Sequence, residues 1–291
     1  MGEPGCNDSG FGEDAFRNYI AAFNRSDFEG FARYYTQDIE FQGRAATLRG
    51  RDELLRFYRD VKSRVRETIS VQDIVAGERQ LVGDLITELH PLEDWPDFPT
   101  GPLRKGETRR SQNFVWYDIE GSRFKRIRAA HYRRGAIIPV EQPDPLAIRA
   151  QNIDPRTPGR SRQMTVEEFE AYIEAFNCDD FNRFSACYHP DVVLIIGGHH
   201  ELRGAQEICD FYRRVKTQTR RTIRLRNLVC STDRIAAELE SEFLALEDVP
   251  DFTPGPLKRG DRMFLHTVVL YELRDGRFSR IRSAALRKLR P

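Results

Sequence analysis

Two tyrosines, Tyr19 and Tyr172, hold the same place in two similar stretches of the sequence, YIAAFN and YIEAFN. A tyrosine hydroxyl in a dry site can donate a hydrogen bond to an oxygen that becomes an enolate or alkoxide, and one such donor is worth about 3 kcal/mol. The alternative is a core tyrosine whose hydroxyl bonds a backbone carbonyl. We take Tyr19 as a catalytic candidate and Tyr172 as a substrate-binding candidate.

Histidines near the ends of expected strands are candidates for moving a proton, because the ordinary pKa of histidine suits proton transfer near neutrality. We take His131 as the candidate general base, whereas His90 lies on the more polar face of its strand and is expected in solvent. His199 and His200 could suggest a metal site, but adjacent residues on a strand point to opposite faces. We therefore predict no metal and keep His199 as a substrate-binding candidate.

Paired carboxylates recur on one expected strand in each half of the chain, and an inward-facing pair could perform acid and base work. They are Asp84 with Glu88, and Glu238 with Glu242. The alternate positions of the same strands are more apolar, so we expect the carboxylates on a solvated outer face.

A segment rich in proline and glycine also recurs, as LEDWPDFPTGPL and LEDVPDFTPGPL. Trp95 and Phe98 could form an apolar lid over a pocket, which makes both substrate-binding candidates. Val249 replaces Trp95 in the second copy, so the two mouths should differ. The alternative is a bulged connection between two long strands.

Composition excludes several classes of protein. The 46 Lys plus Arg nearly balance the 45 Asp plus Glu of the 291 residues, and a net charge of +1 gives no field to hold nucleic acid or an anionic membrane. Arginine-rich runs at 123–128 and 277–282 stand among acids and are expected in solvent. The sequence has neither a membrane-length apolar run nor signal-peptide features, so we expect a cytoplasmic protein. It also lacks a phosphate loop, GxSxG, HExxH or CxxC motif, so we predict no cofactor.

The chain is a tandem repeat. The segment YIAAFNRSDFEGFARYYTQDIEF at 19–41 returns as YIEAFNCDDFNRFSACYHPDVVL at 172–194, a separation of 153 positions, which one inserted residue later changes to 154. We predict two domains, at 12–134 and 165–290. A proline-rich linker at 135–164 joins them.

Each repeat is predicted to place its helices first and its strands last. Phe16, Tyr19, Ile20 and Phe23 fall at helical spacing, and Thr165 begins a capping box. A short helix at 31–35, a strand at 38–42 and a helix over 54–61 should follow, with antiparallel strands from residue 68. This order predicts an α+β fold of two tandem cone-shaped domains, each with helices packed on a curved antiparallel sheet around a cavity.

With this order of elements, the words YIAAFNRSDF, ELLRFYRDVK and FKRIRAA resemble the nuclear-transport-factor-2-like superfamily, and most of all its SnoaL-like polyketide cyclase and ketosteroid isomerase branches. The resemblance covers nearly all of both repeats. It leaves the function open, because this cone-shaped fold hosts isomerases, dehydratases, cyclases, epoxide hydrolases, lyases and non-catalytic binding modules.

In ketosteroid isomerases, a tyrosine on the first helix and a protonated aspartic acid on a late strand form an oxyanion hole, and another aspartate moves the proton. The resemblance assigns that tyrosine to Tyr19 and Tyr172. It assigns the base position to Gly43 and Ile196, neither of which can take a proton, and puts the late-strand acid near Asn113 in the first repeat and Thr267 in the second.

The resemblance also selects the strand face that Asn113 shares with Tyr117 as a wall of the cavity. Asn113 is then the second oxyanion donor, or alternatively a satisfied buried amide, and Tyr117 contacts the substrate. These residues predict a cofactor-independent enzyme, an isomerase, a cyclase or a lyase or dehydratase, that acts on an apolar aromatic or multi-ring small molecule. Because both base positions are lost, the alternative is a non-catalytic ligand-binding or assembly module. That module would be an intramolecular pseudo-dimer, with further homo-oligomers left open.

Overall fold

A computed structural model of the protein describes residues 11–139 and 164–289, with side chains at 11–133 and 164–286. Packing divides these residues into two compact units. One holds most of the first repeat, and the other holds the second repeat together with residues 112–114 and 130–134.

Within the described ranges each repeat forms three helices and six strands, in the predicted order of helices first. The helices are α1 (Glu13–Asn24), α2 (Phe28–Ala32) and α3 (Arg51–Arg64), then α4 (Val166–Asn177), α5 (Phe181–Ser185) and α6 (Gly204–Gln218). The strands of the first repeat are β1 (Tyr35–Gln42), β2 (Thr47–Arg49), β3 (Val65–Ala76), β4 (Gln80–Pro91), β5 (Glu107–Glu120) and β6 (Arg123–Pro139). Those of the second are β7 (Tyr188–Ile196), β8 (His200–Arg203), β9 (Thr219–Cys230), β10 (Arg234–Ala245), β11 (Arg262–Arg274) and β12 (Arg277–Leu289).

The sheet of the first repeat follows the order β3-β4-β5-β6, and β1 runs parallel to β6 with the short β2 on its far edge. The second repeat reproduces this arrangement as β9-β10-β11-β12, with β7 parallel to β12. The predicted α+β fold is confirmed. Strand β6 continues to Pro139, five residues past the predicted end of the first domain, and residues 140–163 of the predicted linker lie outside the described ranges.

The first helix of each repeat forms for the predicted reasons. Phe16, Tyr19 and Phe23 lie on the buried face of α1, and the capping box of Thr165 and Glu168 starts α4. The second helix is earlier than predicted, at Phe28–Ala32 instead of 31–35. The Asp27 carboxylate accepts a hydrogen bond from the Gly30 amide and so starts the helix there.

The carboxylates expected on a solvated face are placed differently. Asp84 and Glu238 are only 1% exposed each, so the prediction is wrong for these two. Val82 lies on the same face of β4 as Asp84, and Ala236 lies on the same face of β10 as Glu238. Both are fully buried, which shows that both faces of each strand are apolar enough to be covered. The Glu238 Oε1 atom lies 2.9 Å from His266 Nε2.

The arginine-rich runs are also not uniformly solvated. Arg128 and Arg282 are 8% and 9% exposed. Arg128 lies 3.1 Å from the Asp118 carboxylate and Arg282 lies 3.4 Å from that of Glu272, so each buried guanidinium has a charged partner.

An asparagine after each first helix holds a strand against it. The Asn24 side chain donates to the Ile69 carbonyl at 2.8 Å and accepts from the Ile69 amide at 2.7 Å. Asn177 makes the same pair of bonds to Ile223. This is the structural role of the repeated Asn-x-x-Asp-Phe motif.

Replacing Asn24 by alanine is expected to destabilise the first repeat by about 1.5 kcal/mol, because two partly buried backbone groups lose their partner. Urea unfolding followed by tryptophan fluorescence measures this directly, since both tryptophans of the chain, Trp95 and Trp116, lie in the first repeat. Asn18→Ala, on the exposed face of the same helix, is the control and should change little. Equal midpoints for the two variants would contradict a clamping role.

Candidate active site

The interior of the first repeat is a cluster of aromatic rings around Tyr19. This residue is 3% exposed, and its hydroxyl lies 3.0 Å from the Tyr35 hydroxyl. Its ring lies 4.9 Å from that of Phe124 and 6.0 Å from that of Phe16, both in edge or tilted contact. Tyr19 therefore has a polar partner in a water-poor surrounding, as the prediction of an inward-facing hydroxyl requires.

Tyr58 on α3 and Tyr117 on β5 complete this cluster. Burial raises the pKa of both hydroxyls well above 10.0, and it also raises the pKa of Tyr19. All three phenols therefore stay neutral across the physiological range. Neither Tyr58 nor Tyr117 hydrogen-bonds another described residue through its hydroxyl, so both are available as donors to a ligand.

One carboxylate faces this cluster. Glu67 is half-buried and shares the inward face of β3 with Ile69 and Val71, which pack on the core. Desolvation raises its pKa from 4.5 to about 6, against a smaller opposing effect of the Lys62 ammonium. The negative charge of Glu67 in turn raises the pKa of Tyr19 and Tyr58, so carboxylate and phenols share one electrostatic environment.

The positive charge of Lys62 lowers the pKa of Glu67, but by less than burial raises it. Its ammonium group donates to the Phe23 carbonyl at 2.9 Å and to the Glu67 carbonyl at 3.2 Å, and it lies 3.9 Å from the centre of the Phe23 ring. Burial lowers the pKa of Lys62. The ammonium group is therefore held by backbone oxygens and an aromatic face, and the carboxylate keeps its own oxygens for other partners.

The second repeat keeps the pair of buried tyrosines but has a positive charge where the first repeat has the negative charge of Glu67. Tyr172 is 8% exposed and its hydroxyl lies 3.4 Å from that of Tyr188, as in the first repeat. At the position of Glu67, 154 residues on, stands Arg221. Its guanidinium donates to the Ser241 hydroxyl at 3.1 Å and lies 5.3 Å from the centre of the Phe176 ring. This repeat has no carboxylate at that position to accept a proton.

Asn113 and His131 are brought together, with Asn113 Oδ1 3.2 Å from His131 Nδ1. Packing groups both with the second unit, whereas Tyr19 lies in the first. Val115 and Tyr117 face the core of the first repeat, which agrees with the strand parity expected for Asn113. The catalytic roles assigned to Asn113 and His131 stay predictions.

The other predicted histidines have local partners. His90, expected in solvent, is half-buried, and its Nδ1 atom lies 2.9 Å from the Thr108 hydroxyl. His199 is exposed and its Nδ1 atom lies 2.8 Å from the Gly197 carbonyl oxygen. No group of three or more metal-ligating side chains lies together among the residues that the structure describes.

Trp95 and Phe98 pack on the end of α3. Phe98 is 7% exposed and joins Val61 and Val65 in a small cluster, while the half-buried Trp95 stacks under the Arg64 guanidinium at 3.8 Å. The Trp95 backbone pairs with Leu103, as expected for a bulged connection. Their role toward a substrate stays a prediction.

Glu67 is the residue that the sequence reasoning missed. A usable signal was present, since Val65, Glu67, Ile69 and Val71 alternate on one face and Glu67 is the charged exception. The repeat offered a second signal, because Glu67 aligns with an arginine while the tyrosines around it are kept.

None of the helices that the structure describes is long and apolar enough to cross a membrane.

The chain matches the sequence profile of the SnoaL-like domain twice, at residues 16–127 and 169–281. No curated protein matches it. Among solved structures, an LEH-like epoxide hydrolase of M. tuberculosis is 17% identical, with a TM-score of 0.34 over 41% of this chain and 80% of that chain. A candidate polyketide cyclase of Pseudomonas putida is 24% identical, with a TM-score of 0.36 over 41% and 90%. A ketosteroid isomerase-like protein of Catenulispora acidiphila, in complex with trimethylamine, is 12% identical, with a TM-score of 0.34 over 41% and 85%.

Proposed function

Because the chain belongs to the SnoaL-like family as a tandem repeat, we propose that its first repeat is a cofactor-independent acid–base enzyme. Glu67 moves the proton, and the hydroxyls of Tyr19 and Tyr58 hold the oxygen on which negative charge develops. The single observation that carries this proposal is a half-buried carboxylate, with a pKa raised to about 6, among neutral phenols.

The chemistry follows from these two kinds of group. The ionised Glu67 carboxylate accepts a proton from a carbon next to a carbonyl, and the electron pair of that C–H bond moves to form an enolate. Neutral tyrosine hydroxyls donate hydrogen bonds to the enolate oxygen, and the surrounding rings keep water away. A base with a pKa near 6 is mostly ionised at neutral pH yet still basic enough to take the proton.

The enolate then determines the product. If protonated Glu67 returns the proton to another carbon, the substrate is isomerised. Attack of the enolate carbon on a second carbonyl closes a ring, and the new alkoxide takes the proton from Glu67. Loss of a β-hydroxyl as water, with the proton again donated by Glu67, gives an elimination. The aromatic residues around Tyr19 favour an apolar substrate with one or more rings.

Among the residues that the structure describes, this combination of groups lies in the first repeat. Arg221 in the second repeat cannot accept a proton, because a guanidinium stays charged at any physiological pH. The proposal therefore places turnover in the first repeat. At the position of Glu67, the second repeat supplies no base.

The experiment is turnover in deuterated water, with mass-spectrometric detection, on a panel of multi-ring ketones and hydroxyketones. The native chain should incorporate solvent deuterium or form product. Tyr19→Phe should lower the rate about a hundredfold, because the oxyanion loses one of its two donors while Tyr58 still donates. Tyr172→Phe, the matched change in the second repeat, is the control and should leave the rate unchanged.

A non-catalytic ligand-binding module is the second candidate function. It is favoured by the hydrogen bond between the Tyr19 and Tyr35 hydroxyls, which gives each hydroxyl a partner without a substrate. Ligand binding to the native chain, detected by thermal shift, with no deuterium exchange across the panel, would support this function and refute the enzyme.

A further inference from the structure

The second repeat contains a pocket that lies away from the Arg221 position. It is about 510 Å³ in volume and lies between α4, the end of α5 and the turn that joins β11 to β12. Met164, Tyr172 and Cys187 form its apolar wall. The volume is in the range typical of small-molecule sites.

The equivalent place in the first repeat is filled by aromatic rings. Phe11 occupies the position of Met164, and Tyr34 that of Cys187. The Phe11 ring lies 5.8 Å from the Tyr34 ring and 4.7 Å from the Phe124 ring, and the Tyr34 ring lies 5.7 Å from Tyr19. Two large side chains thus take up the volume that the second repeat leaves open.

The backbones show that these positions are truly equivalent. The Phe124 amide donates to the Tyr34 carbonyl at 2.7 Å, and the Phe278 amide donates to the Cys187 carbonyl at 2.8 Å. With the same main-chain bond in both repeats, the pocket results from side-chain size: a thiol stands in place of a phenol ring.

The rim of the pocket carries two arginines, Arg183 and Arg277, and neither makes an ion pair with another described residue. The Glu168 carboxylate also lines the pocket, but it accepts a hydrogen bond from the Thr165 amide in the capping box. Asp275 is the remaining acid of the lining. In the first repeat, glycine stands at the position of Arg183.

We propose that this pocket binds a small organic anion with an apolar ring system. The rings pack on Tyr172 and Met164, and the carboxylate of the ligand is held by Arg183 and Arg277. Guanidinium groups suit this task because they form paired hydrogen bonds to a planar carboxylate. The proposal does not rest on the proposed enzyme activity, since all of these residues lie in the second repeat.

Calorimetric titration of the full chain with 2-naphthoate tests the proposal, with 2-naphthylmethanol and 2-naphthylmethylammonium as neutral and cationic analogues. Naphthoate should bind at least tenfold more tightly than the ammonium compound. Replacing the lining by that of the first repeat, through Cys187→Tyr with Met164→Phe, should weaken naphthoate binding at least tenfold. Arg277→Met should weaken naphthoate but not the alcohol.

Tyr34→Cys in the first repeat is the matched control and should leave this binding unchanged. Circular dichroism and melting temperature show whether each variant is folded. If Cys187→Tyr does not fold, Met164→Phe alone and Arg277→Met decide, because both are small changes in volume. Full naphthoate affinity in the folded filled-pocket variant, or equal affinity for the anionic and cationic compounds, overturns the proposal.

Discussion

Glu67→Gln is expected to lower the turnover of the first repeat by about a thousandfold while the repeat stays folded. The glutamine amide has nearly the shape of the protonated acid, but it cannot accept a proton. General-base groups contribute roughly 10² to 10⁴ to the rate of a proton abstraction. The deuterium-exchange assay described for the native chain measures the loss, and tryptophan fluorescence shows that the first repeat is folded.

The pH dependence gives this prediction a sharper form. Since the base must be deprotonated, kcat/KM of the native chain should rise with pH through about 6, the pKa of Glu67, and then level off. No fall is expected below pH 10, because the pKa values of Tyr19 and Tyr58 are raised and the phenols stay protonated. The residual rate of Glu67→Gln should lack the rise near pH 6.

Arg221→Gln is the matched control, since it neutralises the charge at the same position of the second repeat. Turnover should be unchanged in that variant if the chemistry belongs to the first repeat. A Glu67→Gln chain that keeps more than about a tenth of the native rate would show that another group takes the proton. His131 beside Asn113 would then be the first alternative to examine.

The fold was predictable because its signals are local and occur twice. The spacing of Phe16, Tyr19 and Phe23 sets the buried face of α1, and the match between the two repeats indicates which features belong to the architecture. The error in the predicted position of α2 also has a local cause. The start of α2 depends on one side chain, Asp27, whose hydrogen bond to the Gly30 amide is not visible in apolar spacing.

The candidate site was only partly predictable, for a physical reason. The sequence shows which side of a strand is more apolar, but it does not show what covers the other side, so Asp84 and Glu238 were expected in solvent and are buried. The resemblance to ketosteroid isomerases assigns the position of the general base to Gly43 and Ile196, and neither residue is an acid. Glu67, the ionisable group whose charge does act on Tyr19, comes from β3, and only the packed fold brings the two into one electrostatic environment.

Glu67→Gln is also expected to stabilise the first repeat by about 2 kcal/mol at pH 8. The folded-state pKa of Glu67, about 6, lies above its ordinary value of 4.5, so the folded chain holds the proton more tightly than the unfolded chain does. The stabilisation by the protonated acid is complete below pH 4.5 and is lost as the pH rises through 6. A difference of 1.5 pKa units corresponds to about 2 kcal/mol.

The measurement is urea unfolding of the native and Glu67→Gln chains between pH 4 and pH 8, followed by the fluorescence of Trp95 and Trp116. The two stabilities should coincide near pH 4, diverge between about pH 4.5 and pH 6, and differ by a constant amount above that, because glutamine resembles the protonated acid at every pH. Lys62 keeps its two carbonyl acceptors in the variant, which limits any loss from its side. Equal stabilities at pH 8 would mean that the Glu67 carboxylate is well solvated in the folded chain and that its pKa is not raised. A variant that is both more stable and inactive would instead show a carboxylate kept for its chemistry at the expense of the fold.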